Sequence, residues 1–225
     1  MTTRINKFIA HTAGLSRREA DAAIEQGRVI INGVKASLGS QVGPDDIVLL
    51  DNTQLAEGHT YTYIQLHKPV GYVCSRRAQG DNPTIYDLLP AALHHLKPVG
   101  RLDKDSSGLL LLTDDGDLGH QMTHPKFYKS KQYEVTLDMP LAPLHQQMIN
   151  DYGVHLDDGP SKLQLQKTAD DATHWQITMH EGRNRQIRRT FAALGYTVVA
   201  LHRTQFGAYS LDDLPAGKIR IVAPL

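Results

Sequence analysis

The sequence predicts an α+β protein in two parts, a small module of two short helices and a hairpin followed by a larger domain built on a sheet. Three observations carry this. Leu109-Leu110-Leu111-Leu112, entered from Ser106-Ser107-Gly108 and left at Thr113-Asp114-Asp115-Gly116, is the most apolar run of the chain. It is short for a buried helix and suits a strand covered on both faces. Tyr133, Val135 and Leu137, and later Trp175, Ile177 and Met179, recur with the period of two that marks strands. Near the amino terminus the apolar spacing is helical instead, and Ser16-Arg17-Arg18-Glu19 has the form of a capping box.

Each element follows in order. Ile5, Phe8, Ile9 and Thr12 lie near helical spacing over residues 4–13, and Gly14 supplies the stop. The helix begun at Ser16 buries Ala20, Ala23 and Ile24 and ends at Gly27. Val29-Ile30-Ile31 meets Asn32-Gly33, a strong hairpin signal, and Asp45-Asp46 precedes a closing strand at Ile47-Val48-Leu49-Leu50. Residues 51–61 are polar, contain Gly58 and lack periodicity, so they read as a linker. The domains expected are therefore residues 1–58 and 59–225.

In the second domain, Thr62, Ile64 and Leu66 alternate on a first strand that runs into a turn at Pro69 and Gly71. Residues 83–90 form a short helix bracketed by prolines, and residues 117–123 a helix ended by Pro125. Leu141, Leu144 and Met148 share a face of an amphipathic helix over residues 140–150. A later helix buries Ile187, Phe191 and Leu194 and stops at Gly195, with late strands at residues 198–201 and 218–222.

Composition narrows the function classes. Hydrophobic residues make up 40% of the 225 and charged residues 21%, as in an ordinary globular protein. No apolar run approaches the ~20 residues needed to cross a bilayer, and Met1-Thr2-Thr3-Arg4-Ile5-Asn6-Lys7 leads into no apolar signal segment. One cysteine, Cys74, cannot build an internal disulfide or a four-cysteine zinc site, so cytoplasmic residence is the default. Lys plus Arg and Asp plus Glu are 24 each, so net charge names no partner. Distribution says more: Arg183, Arg185, Arg188, Arg189 and Arg203 fall in residues 183–203 with no acidic residue among them, and Arg4, Lys7, Arg17, Arg18, Arg28 and Lys35 gather in the first module against Glu19, Asp21 and Glu25. Two basic patches on a neutral protein fit a local phosphate footprint. Among twelve histidines, adjacent His94 and His95 point apart, and His120 with His124 lacks a cysteine or paired carboxylates, so no metal is expected.

The stretch around which the chain is organised is Gly100-Arg101-Leu102-Asp103-Lys104-Asp105-Ser106-Ser107-Gly108 and the leucines after it. A charged turn at the rim of a buried strand holds a reactive side chain still, and Asp103 is the candidate. Gly-Arg-Leu-Asp followed by Ser-Ser-Gly-Leu-Leu-Leu-Leu-Thr-Asp-Asp-Gly resembles the signature of ribosomal RNA pseudouridine synthases, in the branch that contains RsuA and its large-subunit relatives. The pattern from Arg4 through Leu15-Ser16-Arg17-Arg18-Glu19-Ala20 to Asn32-Gly33 resembles the αL, S4-like RNA-binding domain. Lys68-Pro69 and Gly71 match the start of the family's catalytic domain, although His67 stands where the family has Asn.

This resemblance implies a catalytic domain with a mixed, largely antiparallel sheet flanked by helices, and isomerisation of a uridine in ribosomal RNA to pseudouridine. It implies no cofactor, and a monomer acting on structured RNA is expected. Asp103 takes the place of the essential carboxylate. It must be ionised, so a cation within ~4–6 Å is wanted. Arg188, in Gln186-Ile187-Arg188, matches the family's basic residue, whereas Arg189 points about 100° away around the helix. Tyr133, in Lys131-Gln132-Tyr133, matches the tyrosine that covers the flipped base, and Leu201 the apolar residue beside it. Arg101, Arg203 and Lys68 are further substrate or RNA contacts, with Arg4, Lys7, Arg17, Arg18, Arg28 and Lys35 on the module. Asp158-Gly159-Pro160 and the Gly182 to Gln186 segment lean toward the large-subunit enzymes, whereas Gly71-Tyr72-Val73-Cys74-Ser75 and Phe191-Ala192-Ala193 before Leu201-His202-Arg203 lean toward the small-subunit enzyme, so the large subunit is favoured only slightly. The alternative is a non-catalytic RNA-binding assembly protein on the same scaffold.

Overall fold

A computed structural model describes residues 2–55, 60–77 and 79–225. It divides into two compact units, residues 1–62 with 114–116, and residues 63–113 with 117–225.

In the first unit, Ile5–Ala13 and Arg17–Glu25 are the two helices. Gly14, at φ 68°, ends the first in the left-handed region that glycine tolerates. The Ser16 hydroxyl accepts the Glu19 N–H, and the Glu19 carboxylate accepts the Ser16 N–H, so the capping box is closed from both sides. Ile5, Ile9, Ala20, Ala23, Ile24, Val29, Val42 and Val48 form its buried core. Val29–Ile31 pairs with Val34–Lys35 across Asn32-Gly33 and with Val48–Leu50. The linker expectation fails in part: Thr53–Leu55 is a fourth strand, paired with Val48–Leu50. Asp51 and Asn52 make its tight turn with φ of 50° and 63°, a conformation that Asp and Asn adopt more readily than other side chains. Residues 56–59, and with them the expected boundary at residue 58, lie outside the described residues.

The second unit carries a mixed sheet of nine strands among the described residues. Its main path runs Gln164–Lys167, His174–Met179, Lys131–Leu137, Val198–Phe206, Ser107–Thr113, Tyr63–Lys68 and Ile219–Ile221. The pairings along it are antiparallel except one: Val198–Phe206 runs parallel to Ser107–Thr113, with Arg203 opposite Gly108. The leucine run is a strand buried on both faces, as its composition requires. Leu110 and Leu112 enter the larger core with Ile64, Leu66, Val135, Trp175 and Phe191. Leu109 and Leu111 enter a smaller core on the other face with Met122, Phe206, Tyr209 and Leu214.

Two expectations need correction. Tyr63–Lys68 has no open face: Ile64, Leu66 and Lys68 are buried on one side, and on the other Gln65 is buried and Tyr63 and His67 are half-buried. Leu144 is 65% exposed, because the regular helix spans only Pro143–Gln147 and widens into a π-helical stretch, Met148–Tyr152. That change of period turns Ile149 inward in its place. Among the described residues, no helix is long and apolar enough to cross a membrane.

Candidate active site

Residues 103–106 form the turn that delivers the chain into the buried strand Ser107–Thr113, and this turn is anchored from beneath. Lys68 is fully buried at the end of its strand and its ammonium donates to the carbonyls of Pro69, Asp103 and Ser106 at 3.1, 2.9 and 2.7 Å. Lys68 was expected to meet RNA; with no exposed surface, it braces the loop instead. Burial lowers its pKa, and the fields of Asp103 and Asp105 are among those that oppose the shift. Lys68→Met should cost about 3 kcal/mol, because three carbonyls lose a charged donor in a buried setting. A denaturant melt checks this, and unchanged stability would remove the bracing role.

A cavity of about 270 Å³ opens beside this turn, and Asp103, Arg101, Tyr133, Leu201, Arg203, Lys131 and Arg185 are among its lining residues. Tyr133 is 8% and Leu201 8% exposed, on neighbouring strands where Tyr133 lies opposite Arg203 and Val135 opposite Leu201. Arg101 is exposed at the cavity. Arg203 is only 2% exposed: its Nε donates to the Leu109 carbonyl at 2.8 Å and its guanidinium lies 4.9 Å from the Phe206 ring centre. It lines the cavity from within, so a contact to substrate there would be made inside the cavity and not on the exposed surface.

The cation beside Asp103 also differs from expectation. Arg185 Nη1 lies 3.5 Å from an Asp103 carboxylate oxygen and forms a two-pronged pair with Asp105 at 3.1 and 3.0 Å. Arg188 turns to Asp105 as well, at 3.3 Å, while donating to the Val198 carbonyl at 2.7 Å and the Asp105 carbonyl at 2.8 Å. Arg188 therefore ties the loop to the helix, within the electrostatic reach of Asp103 but without an ion pair to it. Hydrogen bonds from Arg185, then the field of Arg188, hold the Asp105 carboxyl below the usual carboxylate range.

Helical register alone does not find Arg185. It precedes the helix Gln186–Ala192 in a left-handed conformation, φ 46°, which throws its side chain across to the Asp103 loop. Arg183 and Arg189 are held away from this pair by the hairpin turn at Asp157 and Asp158. Arg189 Nη2 meets the Asp158 carboxylate at 2.7 Å, and Arg183 reaches the Asp158 carboxylate and the Gly159 and Pro160 carbonyls. His67 hydrogen-bonds the Leu214 carbonyl at 2.7 Å through Nδ1. Cys74 accepts the Leu102 N–H at 3.5 Å, and burial pushes its thiol up, away from a reactive thiolate.

On the first unit, Arg4, Arg17, Arg18 and Lys35 are exposed and Lys7 is partly buried. Arg28, also expected to contact RNA, is engaged through Nε and Nη2 by the Asp51 carboxylate, so a phosphate would have to compete for it.

Comparison with known proteins gives two family matches: RNA pseudouridylate synthase over residues 62–193 and S4 domain over residues 3–48. The chain is 40% identical over 222 residues to the ribosomal small subunit pseudouridine synthase A of Pasteurella multocida, covering 96% of this chain and 94% of that protein. It is 39% identical to the dual-specificity RNA pseudouridine synthase RluF of Shigella flexneri, over 97% of this chain and 75% of that one. A crystal structure of a pseudouridylate synthase superposes with a TM-score of 0.70 at 37% identity, covering 98% of this chain and 96% of the other.

Proposed function

The chain belongs to the RNA pseudouridylate synthase family and is an isomerase acting on ribosomal RNA, and we propose that Asp103 is its essential carboxylate, with a target uridine in small-subunit RNA. One observation carries the assignment of Asp103: its partly exposed carboxylate, Tyr133 and Leu201 line a single cavity, although thirty and ninety-eight residues of sequence separate them from it. A uridine turned out of its RNA and into this cavity would meet the carboxylate with Tyr133 against its ring. Arg185 supplies the cation beside Asp103, and Arg188 positions the loop through Asp105. Arg101, exposed at the cavity, faces the RNA.

Two features point to different target RNAs. The segments at Asp158-Gly159-Pro160 and Gly182 to Gln186 lean toward large-subunit enzymes. The small-subunit relatives, matched over 94% of their own length, favour the small subunit. Mapping pseudouridines in both ribosomal RNAs from cells with and without the gene decides between them. A missing site in small-subunit RNA is expected, and loss confined to large-subunit RNA would reverse the target.

The S4 domain would hold folded RNA through Arg4, Lys7, Arg17, Arg18 and Lys35. Arg17→Glu combined with Arg18→Glu should weaken RNA binding about tenfold near physiological salt. It should also flatten the dependence of log affinity on log salt by about 1.5, as expected for two lost phosphate contacts. Filter binding across a salt series checks this; an unchanged slope would remove these arginines from the interface.

A further inference from the structure

The cavity has a second charged feature that the assignment of Asp103 does not use. Lys131 is 9% and Arg203 2% exposed, and both line the cavity. Lys131 Nζ donates to the Glu181 carbonyl at 2.9 Å, and Gly182 next to it has no side chain to cover the ammonium. Arg203 spends Nε on the Leu109 carbonyl, while its Nη2 is buried with no hydrogen-bond partner among the described residues. Both cations ride on the Phe206 ring, at 5.3 and 4.9 Å from its centre. Among the described residues neither forms an ion pair with a carboxylate, and Asp103 is the one acidic residue among those lining the cavity.

Two adjacent cations buried without a counter-ion are costly, several kcal/mol for each ion before any compensation. The cost is visible at Lys131, whose pKa burial, and secondarily Arg203, pushes down to about 8. A pair of apolar side chains would pack there at no such penalty. The arrangement is that of a site waiting for negative charge.

Its position says which charge. Lys131 and Tyr133 are two residues apart on one strand and so share a face, and Arg203 lies directly opposite Tyr133 on the next strand. If Tyr133 covers the ring of the extruded base, the two cations lie at the edge of that ring. A phosphate is a poorer occupant, since the RNA chain must continue in both directions from it and these groups sit below the surface.

We propose that Lys131 and Arg203 receive the carbonyl oxygens of uracil and stabilise the negative charge the base carries while it is detached from the sugar. This rests on the Asp103 cavity being the site of pseudouridine formation. When the bond between the sugar C1′ and N1 breaks, its electron pair goes to N1 and spreads onto O2 and O4, where the cations take it up. After the ring turns, C5 supplies the pair that forms the new bond to C1′. The C5 proton then leaves and N1 gains one, so no outside oxidant or reductant is involved.

The test uses the full-length protein and unmodified transcripts of both ribosomal RNAs, under single-turnover conditions with filter binding alongside. Lys131→Met should lower the rate of pseudouridine formation about 10²–10³-fold, the usual loss for one donor to a developing anion, and leave RNA affinity within about threefold. The parent rate should fall as pH rises through about 8, where the Lys131 ammonium loses its proton. Lys131→Arg, which keeps its charge at every accessible pH, should retain a rate within about tenfold of the parent and lose that alkaline fall. An unchanged rate in Lys131→Met, an affinity loss as large as its rate loss, or the same alkaline fall in Lys131→Arg would each overturn the proposal. If Lys131→Met does not fold, by its thermal melt, the pH profile of Lys131→Arg decides alone. Failure of the underlying assignment looks different: Asp103→Asn would then form pseudouridine at the parent rate.

Discussion

Asp103→Asn is expected to abolish pseudouridine formation, by about 10⁴-fold or more, while RNA affinity stays within a fewfold. Asn has nearly the shape of Asp and removes only the charge. The supports of the loop do not depend on that charge: Lys68 and the Ser106 N–H bind the Asp103 carbonyl rather than its side chain. Arg185 keeps its two-pronged pair with Asp105. The substitution should therefore shift the melting temperature by no more than about 4 °C, since a partly exposed ion pair at 3.5 Å contributes at most about 1 kcal/mol. A large rate loss with an intact fold and intact binding is the pattern left when a group essential to the chemistry is removed. Single-turnover assays on unmodified ribosomal RNA, with binding measured on the same preparations, distinguish it from a binding defect. Retained activity would end the assignment of Asp103.

Gly108→Ala should be the most damaging small substitution in the second unit. Gly108 has φ 110°, where side chains are strained, and a Cβ there would lie 2.2, 2.5 and 2.8 Å from the Arg203 carbonyl oxygen, amide nitrogen and carbonyl carbon. These are backbone atoms of the strand paired in parallel with it, so relief requires the two strands to part. Strain of ~1–3 kcal/mol combines with overpacking of similar size, giving a loss of about 3–5 kcal/mol. The seam joins the Asp103 loop to the strand bearing Leu201 and Arg203, so activity should fall with stability. Ser107→Ala is the control. It removes the hydrogen bond between the Ser107 hydroxyl and His202 Nδ1 at 2.8 Å, and should cost only about 1 kcal/mol. Urea melts of both variants check the contrast; equal stability of Gly108→Ala and parent would mean that the strands do not meet this closely.

Lys131 and Arg185 show how the sequence can mark a segment without revealing its role. Lys131 stands in a strand whose alternation is plain, yet nothing local says that its neighbour across the sheet is another buried cation. Arg185 lies three residues before Arg188, on the same side in a continuous helical register, so spacing alone does not choose between them for Asp103. The left-handed backbone at Arg185 makes that choice, and it depends on how the helix meets the loop. Arg203 and Lys68 were both expected to contact substrate or RNA, and their burial is what spacing did not show: Lys68 braces the Asp103 loop from beneath, while Arg203 is buried in the cavity wall.

Local interactions determined what the sequence could announce by itself: the capping box at Ser16, the Asn32-Gly33 hairpin, the doubly buried leucine strand and the turn that presents Asp103. Each rests on contacts within a few residues or on burial alone, so composition and spacing suffice. Tertiary structure alone decided which cation faces Asp103, which basic residues are buried, and that Gly108 must lack a side chain. Those outcomes depend on strands distant in sequence meeting in one register, and long-range pairing leaves no periodic trace in the chain.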